Sequence, residues 1–464
     1  MNKSLIIPVE NQVREFDAKL LLACTAARRG FSALVGSRWE IDNQIASFPR
    51  SIYLSKSLTA RGGKMFQVLR KIGHEVVAWD EEALVHLPPE TFFSRRISPT
   101  GIKHVSHLFA WGQDNADLWR QYPQLPSNTP IHITGNPRGD MLRPEMRDFH
   151  AKEIKAIRKK HKNFILINTN VNHVNAFYPH QNLFMPVKNP GEEPRFGKAA
   201  RGMSLEFAEG LRAHKQAIFD EFKRLIPELD RVFPDLTIVV RPHPTESHET
   251  YQKIAARCKH VQVTNDGNVV PWLLAAKVLI HNGCTTGVEA YVMRVPTITY
   301  RPTVNDYYDN GFYRLPNLLS YPCFSFKELC LTIEKIIAGE LGAADGDERQ
   351  SNIDRYLSAQ DGPLACERII DVLDTMIADR SERPKPGFYD RMGGCSVANG
   401  RRLVKWLLSY LPNSHNRPEF QRHKFPGISL GALNEKIEQI QHINGDNTTL
   451  KVKQLSDVLF RIFA

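Results

Sequence analysis

The chain has 464 residues, 42% of them hydrophobic and 24% charged, a composition ordinary for a soluble globular protein and long enough for two domains plus an appendage. Its seven cysteines are scattered, with no CxxC pair or Cys/His cluster, which argues against a disulfide framework or a zinc site and for a reduced, cytoplasmic setting. A formal net charge of +11 favours anionic partners, but the single short basic run, 158–162, lacks interleaved aromatics, so nucleic acid is not an expected partner.

No apolar run reaches the length of about 18 residues that a transmembrane helix needs. The start, MNKSLIIPVENQVREFD, is too short in apolar content for a signal peptide and reads as a first strand. Further strands are predicted at Ala33–Val35, Ile52–Leu54, Glu75–Trp79, His107–Trp111 and Ile131–Thr134, with helices over Arg14–Arg29 and Ala60–Ile72 between them. Phe16, Leu20 and Cys24 share one face of the first helix, and Gly30 ends it. The alternation predicts a parallel sheet covered by helices. A polar helix, Phe149–Lys162, leads to a second such series. Its strands are Phe164–Asn168, Thr237–Val240, His260–Val263, Val278–His281 and Thr297–Tyr300. Its helices are Phe207–Leu225, Ser247–Cys258, Val270–Ala276, Thr286–Val292 and Phe326–Ile337.

The tail from 381 to 464 differs in having repeated prolines and 13 Lys/Arg against 7 Asp/Glu. Within it RRLVKWLLSY, 401–410, is basic and amphipathic. Either it lies on an anionic membrane with Trp406 and Tyr410 at headgroup level, or it packs on the core with its basic face in water. The expected domains are therefore 1–147, 148–380 and a mostly helical tail, 381–464.

Ligands of open parallel sheets bind beyond the carboxyl ends of the strands, and the residues that could carry chemistry stand at those ends. In RPHP the strand ends at Arg241, and two prolines brace His243, which can pair with a phosphate oxygen. In HNGCTTGVEA, Asn282, Gly283, Thr285 and Thr286 form a small-residue loop before a helix carrying Glu289, the composition of a phosphate site; the alternative is an ordinary helix cap. Cys284 has no spaced His/Asp partner and reads as packing. Asn168, Thr169 and Asn170 offer a polar cluster for a nucleotide or sugar, or an Asx-rich turn. Asp80, Glu81 and Glu82 follow another strand; crowding three carboxylates should raise one pKa and suit it to act as a general base. Glu10 and Arg14 sit beyond the first strand. Glu15 and Lys19, spaced i, i+4, read as a surface ion pair, with Lys19 kept among the acceptor-side candidates.

IPVENQVREFDAKLLLAC, ITGNPRGDMLRP, FILINTN, RPHP and HNGCTTGVEA, in this order, resemble the bacterial surface carbohydrate biosynthesis protein family over residues 4–345, and HKFPGISL in the tail looks like family material. More broadly the chain resembles GT-B glycosyltransferases that use CMP-activated acidic sugars, the bacterial sialyltransferases and β-Kdo transferases. The resemblance implies two Rossmann-like domains facing a cleft. His243-Pro244 would match the HP motif, and Thr285-Thr286 the Ser/Thr pair on the donor phosphate. The acidic motif would be Asp80-Glu81 or Glu81-Glu82-Ala83, where Ala83 replaces the usual glycine. It further implies a nucleotide-sugar donor as substrate rather than cofactor, a glycan or lipid-linked acceptor, and no metal. The cysteine usage adds a cytoplasmic setting, and the basic stretch 401–410 adds contact at the inner face of the membrane as a further expectation. Two other enzyme readings share these features: a CDP-alcohol phosphotransferase of the teichoic-acid type and a UDP-GlcNAc 2-epimerase-like enzyme. A non-catalytic nucleotide-sugar-binding scaffold is the third.

Overall fold

A computed structural model describes residues 3–187, 191, 194–309, 311–378, 386–411 and 414–464. It divides into two compact units, one formed by Met1–Phe149 with Ser351–Ala464, the other by His150–Gln350.

Six strands of the first unit run parallel: β1 (Ser4–Val9), β2 (Ser32–Ser37), β3 (Ile52–Ser55), β4 (Glu75–Ala78), β5 (His107–Ala110) and β6 (Ile131–Ile133). β1–β5 are buried almost throughout because helices cover both faces, the condition that makes parallel strands read as unbroken apolar runs. The order is β2-β1-β3-β4-β5-β6, so the chain reverses direction across the sheet between β1 and β3. That reversal is the switch point where such folds bind ligands.

The second unit carries β7 (Phe164–Asn168), β8 (Thr237–Arg241), β9 (Val261–Val263), β10 (Val278–His281), β11 (Thr297–Tyr300) and β12 (Tyr321–Cys323). All are parallel, in the order β9-β8-β7-β10-β11-β12. This is the Rossmann order, with its switch point between β7 and β10. The α/β class and the two parallel, helix-covered sheets expected from the sequence are what the structure has.

The expected division of the chain needs correction. Residues 351–378 belong with the first unit, not the second: Ile369, Ile370, Leu373 and Met376 of helix Ala365–Ala378 share a core with Phe16, Leu20 and Cys24. Asp140 fixes the start of that helix by accepting from the amides of Ala365 and Cys366 at 2.7 and 2.9 Å. The expected boundary at 380/381 lies outside the described residues. Nor is the tail a domain of its own. Its strands β13 (Lys451–Ser456) and β14 (Leu459–Phe463) form a hairpin, and β14 pairs antiparallel with β2, extending the first sheet to eight strands. Leu433, Ile437 and Ile440 of helix Leu430–Ile443 complete the same core.

The basic stretch of the tail lies in a longer helix, Phe388–Leu408, which sets Gly394 and Ala398 against helix Ala60–Ile72. Its orientation is the reverse of the usual one. Met392, Leu403 and Leu407 are exposed on the side opposite Gly394 and Ala398, Trp406 is exposed on the flank, and Tyr410 is exposed just beyond the helix end. No helix among the described residues is long and apolar enough to cross a membrane.

Candidate functional site

In the second unit the carboxyl ends of β8, β7 and β10 are level. Asn168 is in register with Arg241 on one side and with His281 on the other. The loops beyond them carry the candidates, and they are tied together. Asn168 Nδ2 donates to Thr286 Oγ1 at 3.0 Å, across the switch point itself. Thr285, at the N-cap position of helix Thr286–Val292, makes no side-chain capping bond, so the capping alternative is not how these hydroxyls are used. That helix has only seven residues, which leaves hydroxyls rather than a helix dipole as the local donors.

His281 organises this loop. It is fully buried, and burial pushes its pKa down to about 3, so the ring is neutral. Its Nδ1 accepts from the amides of Gly283 and Cys284 at 2.9 and 3.3 Å, which leaves the proton on Nε2 to donate to Ser320 Oγ at 2.8 Å. The Gly283 N–H therefore turns inward and is not offered to a ligand. Gly283 is required for other reasons. Its φ of +87° suits glycine, and a Cβ would lie 2.8 Å from Tyr313 Cδ1. Gly287 is required too, because a Cβ there would collide with the His281 ring. Cys284 is buried and its thiol pKa is raised by that burial, in keeping with packing rather than nucleophilic chemistry. Asn282 is buried with neither atom of its amide hydrogen-bonded, and Asn168 Oδ1 likewise has no partner among the described residues. Glu289 is buried on the short helix.

His243 is partly exposed, and its Nδ1 accepts from the Thr245 amide at 3.3 Å and lies 2.8 Å from Thr245 Oγ1, which itself accepts from Asn172 Nδ2. In the neutral ring the proton is thereby fixed on Nε2. Arg241 does something other than expected. Its guanidinium donates to the carbonyls of Asp266 and Gly267 at 2.9 and 3.1 Å and lies over the Trp272 ring, so it braces a loop. Thr169 is structural as well, since its hydroxyl donates to Glu246. Sequence reading missed Glu246. This buried carboxylate gathers Thr169 Oγ1, the Val171 amide and Tyr251 Oη, each at 2.8 Å, and so binds the β7 loop to the RPHP loop. Burial raises its pKa and those three donors oppose the rise. Asn170, at the surface end of the β7 loop, is also buried.

In the first unit the candidates meet at the other switch point. Glu15 is buried and accepts from the Glu10 amide, Lys19 Nζ and Lys56 Nζ at 3.0, 2.8 and 2.7 Å. Burial raises its pKa, but the two ammonium groups win and hold the carboxyl far below the usual range. The Glu15–Lys19 pair is thus a core element and not the surface pair that its spacing suggested. Lys19 also donates to the carbonyl of Pro8 at 2.8 Å and lies 3.6 Å from Glu81. Lys56, directly after β3, joins Glu15 to Glu10, a role that its place at a strand end signals in the sequence. Glu10 is partly exposed and takes Lys56 at 3.1 Å and Lys424 of the tail at 2.8 Å. Burial raises its pKa; these cations outweigh it and bring the value to about 2.

The acidic run does not behave as a crowded triad. Each carboxylate has its own cation: Asp80 is chelated by Arg96, Glu81 lies near Lys19 and accepts from Trp79 Nε1, and Glu82 meets Arg14 at 2.7 Å. The raised pKa expected here is not found at Glu82. Burial pushes it up, but Arg14 overrides that and holds it at about 2. Asp80 and Glu81 are buried. Glu10 and Glu82 remain as the partly exposed carboxylates of this cluster. His86 pairs with Asp114 at 2.6 Å, and its other nitrogen faces the Leu87 carbonyl at 2.9 Å; burial lowers its pKa, but these two acceptors outweigh that and raise it.

No protein-family model matches the chain, and no curated protein matches its sequence. Solved structures do. The wall teichoic acid polymerase TagF is 12% identical, with 82% of this chain and 90% of that one covered and a TM-score of 0.46. A UDP-GlcNAc 2-epimerase of Methanocaldococcus jannaschii, in complex with UDP-GlcNAc and UDP, is 12% identical over 81% and 100% of the chains, at 0.48. S. aureus MnaA with UDP is 14% identical over 83% and 100%, at 0.47. The likeness concerns the course of the chain; function has to be argued from the two clusters.

Proposed function

We infer that this chain is a GT-B-type transferase that moves a sugar from a nucleotide-activated donor, a CMP-sugar in the favoured case, to a surface glycan or its lipid-linked precursor. One observation carries the reading: in each unit the polar cluster sits at the topological switch point, and in the second unit the Asn168–Thr286 bond bridges that point beside a rigid His243.

In this reading the second unit holds the donor. The acceptor hydroxyl attacks the anomeric carbon, the bond from that carbon to the phosphate oxygen breaks, and negative charge grows on the departing phosphate. His243, with its proton on Nε2, donates to that oxygen, and the hydroxyls of Thr285 and Thr286 add two donors. Asn282 and Asn168, with unsatisfied amide atoms, suit the nucleoside or sugar hydroxyls. Arg241 and Thr169 leave the donor-binding set and become supports. The acceptor falls to the first unit. Glu10 and Glu82 are the carboxylates within its reach, and either takes the hydroxyl proton or orients the attacking oxygen; Arg14 and Lys56 keep both charged. Asp80, Glu81 and Lys19 position them from beneath.

The outward apolar face of helix Phe388–Leu408, which also exposes Arg391 and Arg402, fits an anionic bilayer surface, where a lipid-linked acceptor would be met. A thermal-shift panel with CMP, CDP, UDP and GDP tests the donor class. Stabilisation by CMP and by a CMP-sugar supports the reading. CDP-glycerol turned over in preference would replace it with phosphotransfer, and UDP-GlcNAc converted without an acceptor would replace it with epimerisation.

A further inference from the structure

Lys215 lies on helix Leu205–Val232 with its side chain wholly buried, and its ammonium makes no hydrogen bond among the described residues. Few arrangements cost a fold more, because a buried cation loses its hydration and here receives no acceptor in return. What it has is a ring: Nζ lies 3.6 Å from the centroid of Tyr313. Burial pulls its pKa down to about 8; Asp309 opposes that fall and Arg301 adds to it.

Asp309 is already committed. It accepts from His214 at 2.8 Å, from Arg301 at 3.2 Å and from the Asn305 amide at 3.3 Å. Lys215, Arg301 and His214 therefore crowd one buried carboxylate, and Asp306, the other acid beside Arg301, is almost fully exposed at 4.0 Å. Lys215 and Arg301 alone are two cations against this one carboxylate. This cluster also adjoins the donor loop, since Tyr313, whose face Lys215 occupies, packs on Gly283, and the next residue back is Asn282 with its unpartnered amide. One aromatic ring thus lies between an unsatisfied buried cation and Gly283 of the proposed phosphate loop, next in sequence to the unsatisfied amide of Asn282.

We propose that Lys215 receives a second anionic group of the donor, beyond the phosphate attached to the nucleoside: the β-phosphate of a diphosphate or the carboxylate of an acidic sugar. Tyr313 covers the ammonium until the donor arrives, and turning its ring opens the way. The inference rests on the donor reading above and adds to it a residue that selects doubly charged donors over singly charged ones.

The test is calorimetric titration of the full chain with CMP, CDP, a CMP-linked acidic sugar, UMP and UDP, for the wild type, Lys215→Met and Tyr313→Leu. The wild type is expected to bind a ligand that carries the second anionic group at least tenfold more tightly than the matching monophosphate. Lys215→Met should abolish that advantage while leaving monophosphate affinity within twofold, and Tyr313→Leu should keep it. Loss of the advantage with the diphosphates identifies the β-phosphate, and loss with the acidic sugar identifies the carboxylate. If Lys215→Met weakens every ligand alike, or changes none, the proposal is overturned while the donor reading survives. If the wild type binds no nucleotide, both fall. Lys215→Gln, read by the same titration, substitutes if the Met variant does not fold.

Discussion

Asn168 and Thr286 are 118 positions apart in sequence and 3.0 Å apart in space, and their bond spans the point where the second sheet reverses its strand order. If donor phosphate binds there, removing either hydroxyl of the pair Thr285 and Thr286 weakens transfer. Thr286→Ala should lower kcat/KM about 10-fold or more, and Thr286→Ser should restore most of it, as read by initial rates with saturating acceptor. Equal activity of all three proteins would detach this loop from the chemistry.

His243 acts through the proton on Nε2 in this account. Replacing it with Ala removes one donor to the leaving group, worth on the order of 10² in kcat, with a smaller change in KM. A His243→Ala enzyme with unaltered kcat contradicts the assignment.

The Glu10 and Glu82 carboxyls fall from the ordinary value of 4.5 to about 2 in the folded protein. A group with a depressed folded pKa stabilises the fold above its unfolded pKa and ceases to do so as pH falls through the folded value. Urea unfolding should therefore show stability dropping between pH 4.5 and about 2, with little contribution from these two groups to any change above pH 5.5. Glu82→Gln should flatten part of that slope. The buried Glu15 differs in kind: Glu15→Gln leaves Lys19 and Lys56 short of their counter-charge and should cost about 3–5 kcal/mol at pH 7.

Much of this organisation was legible in the residues. Strands Phe164–Asn168, Val278–His281 and Thr297–Tyr300 and helices Ala60–Ile72, Thr286–Val292 and Phe326–Ile337 lie where their periodicity put them, because they are buried strands or amphipathic helices ended by strong breakers. What sequence could not supply was long-range pairing. The hairpin Lys451–Phe463 reads as a charged tail because its first strand is an exposed edge. Glu15–Lys19 has the spacing of a surface pair, and only the arrival of Lys56 and Pro8 makes it internal. Asp80, Glu81 and Glu82 look crowded in one dimension, yet Arg96, Lys19 and Arg14 approach from three separate segments. Lys215 and Glu246 gave no signal, since a lone charged residue in a helix or turn is ordinarily solvated.

Lys215→Met removes an unsatisfied buried charge and keeps the volume. The ligand-free protein should gain about 1–4 kcal/mol of stability, measured by urea unfolding at pH 7. A loss of stability of similar size would mean the ammonium is satisfied by the fold.

Helix Phe388–Leu408 should bring the chain to vesicles containing anionic lipid, and high salt should weaken the attachment. Replacing Leu403 and Trp406 with Glu is expected to reduce co-sedimentation by about 10-fold without lowering the melting temperature, since both side chains are exposed. Equal sedimentation of the variant would remove the bilayer from the account.

The pairing of β14 with β2 has a bearing on synthesis. The middle of the polypeptide holds a complete Rossmann sheet, which can close once residue 350 has left the ribosome, whereas the sheet begun by residue 4 stays without its last neighbour until residue 463 emerges. Translation would thus finish the central half first and leave the opening half, with an apolar strand edge exposed, as the stage at which a chaperone is most needed.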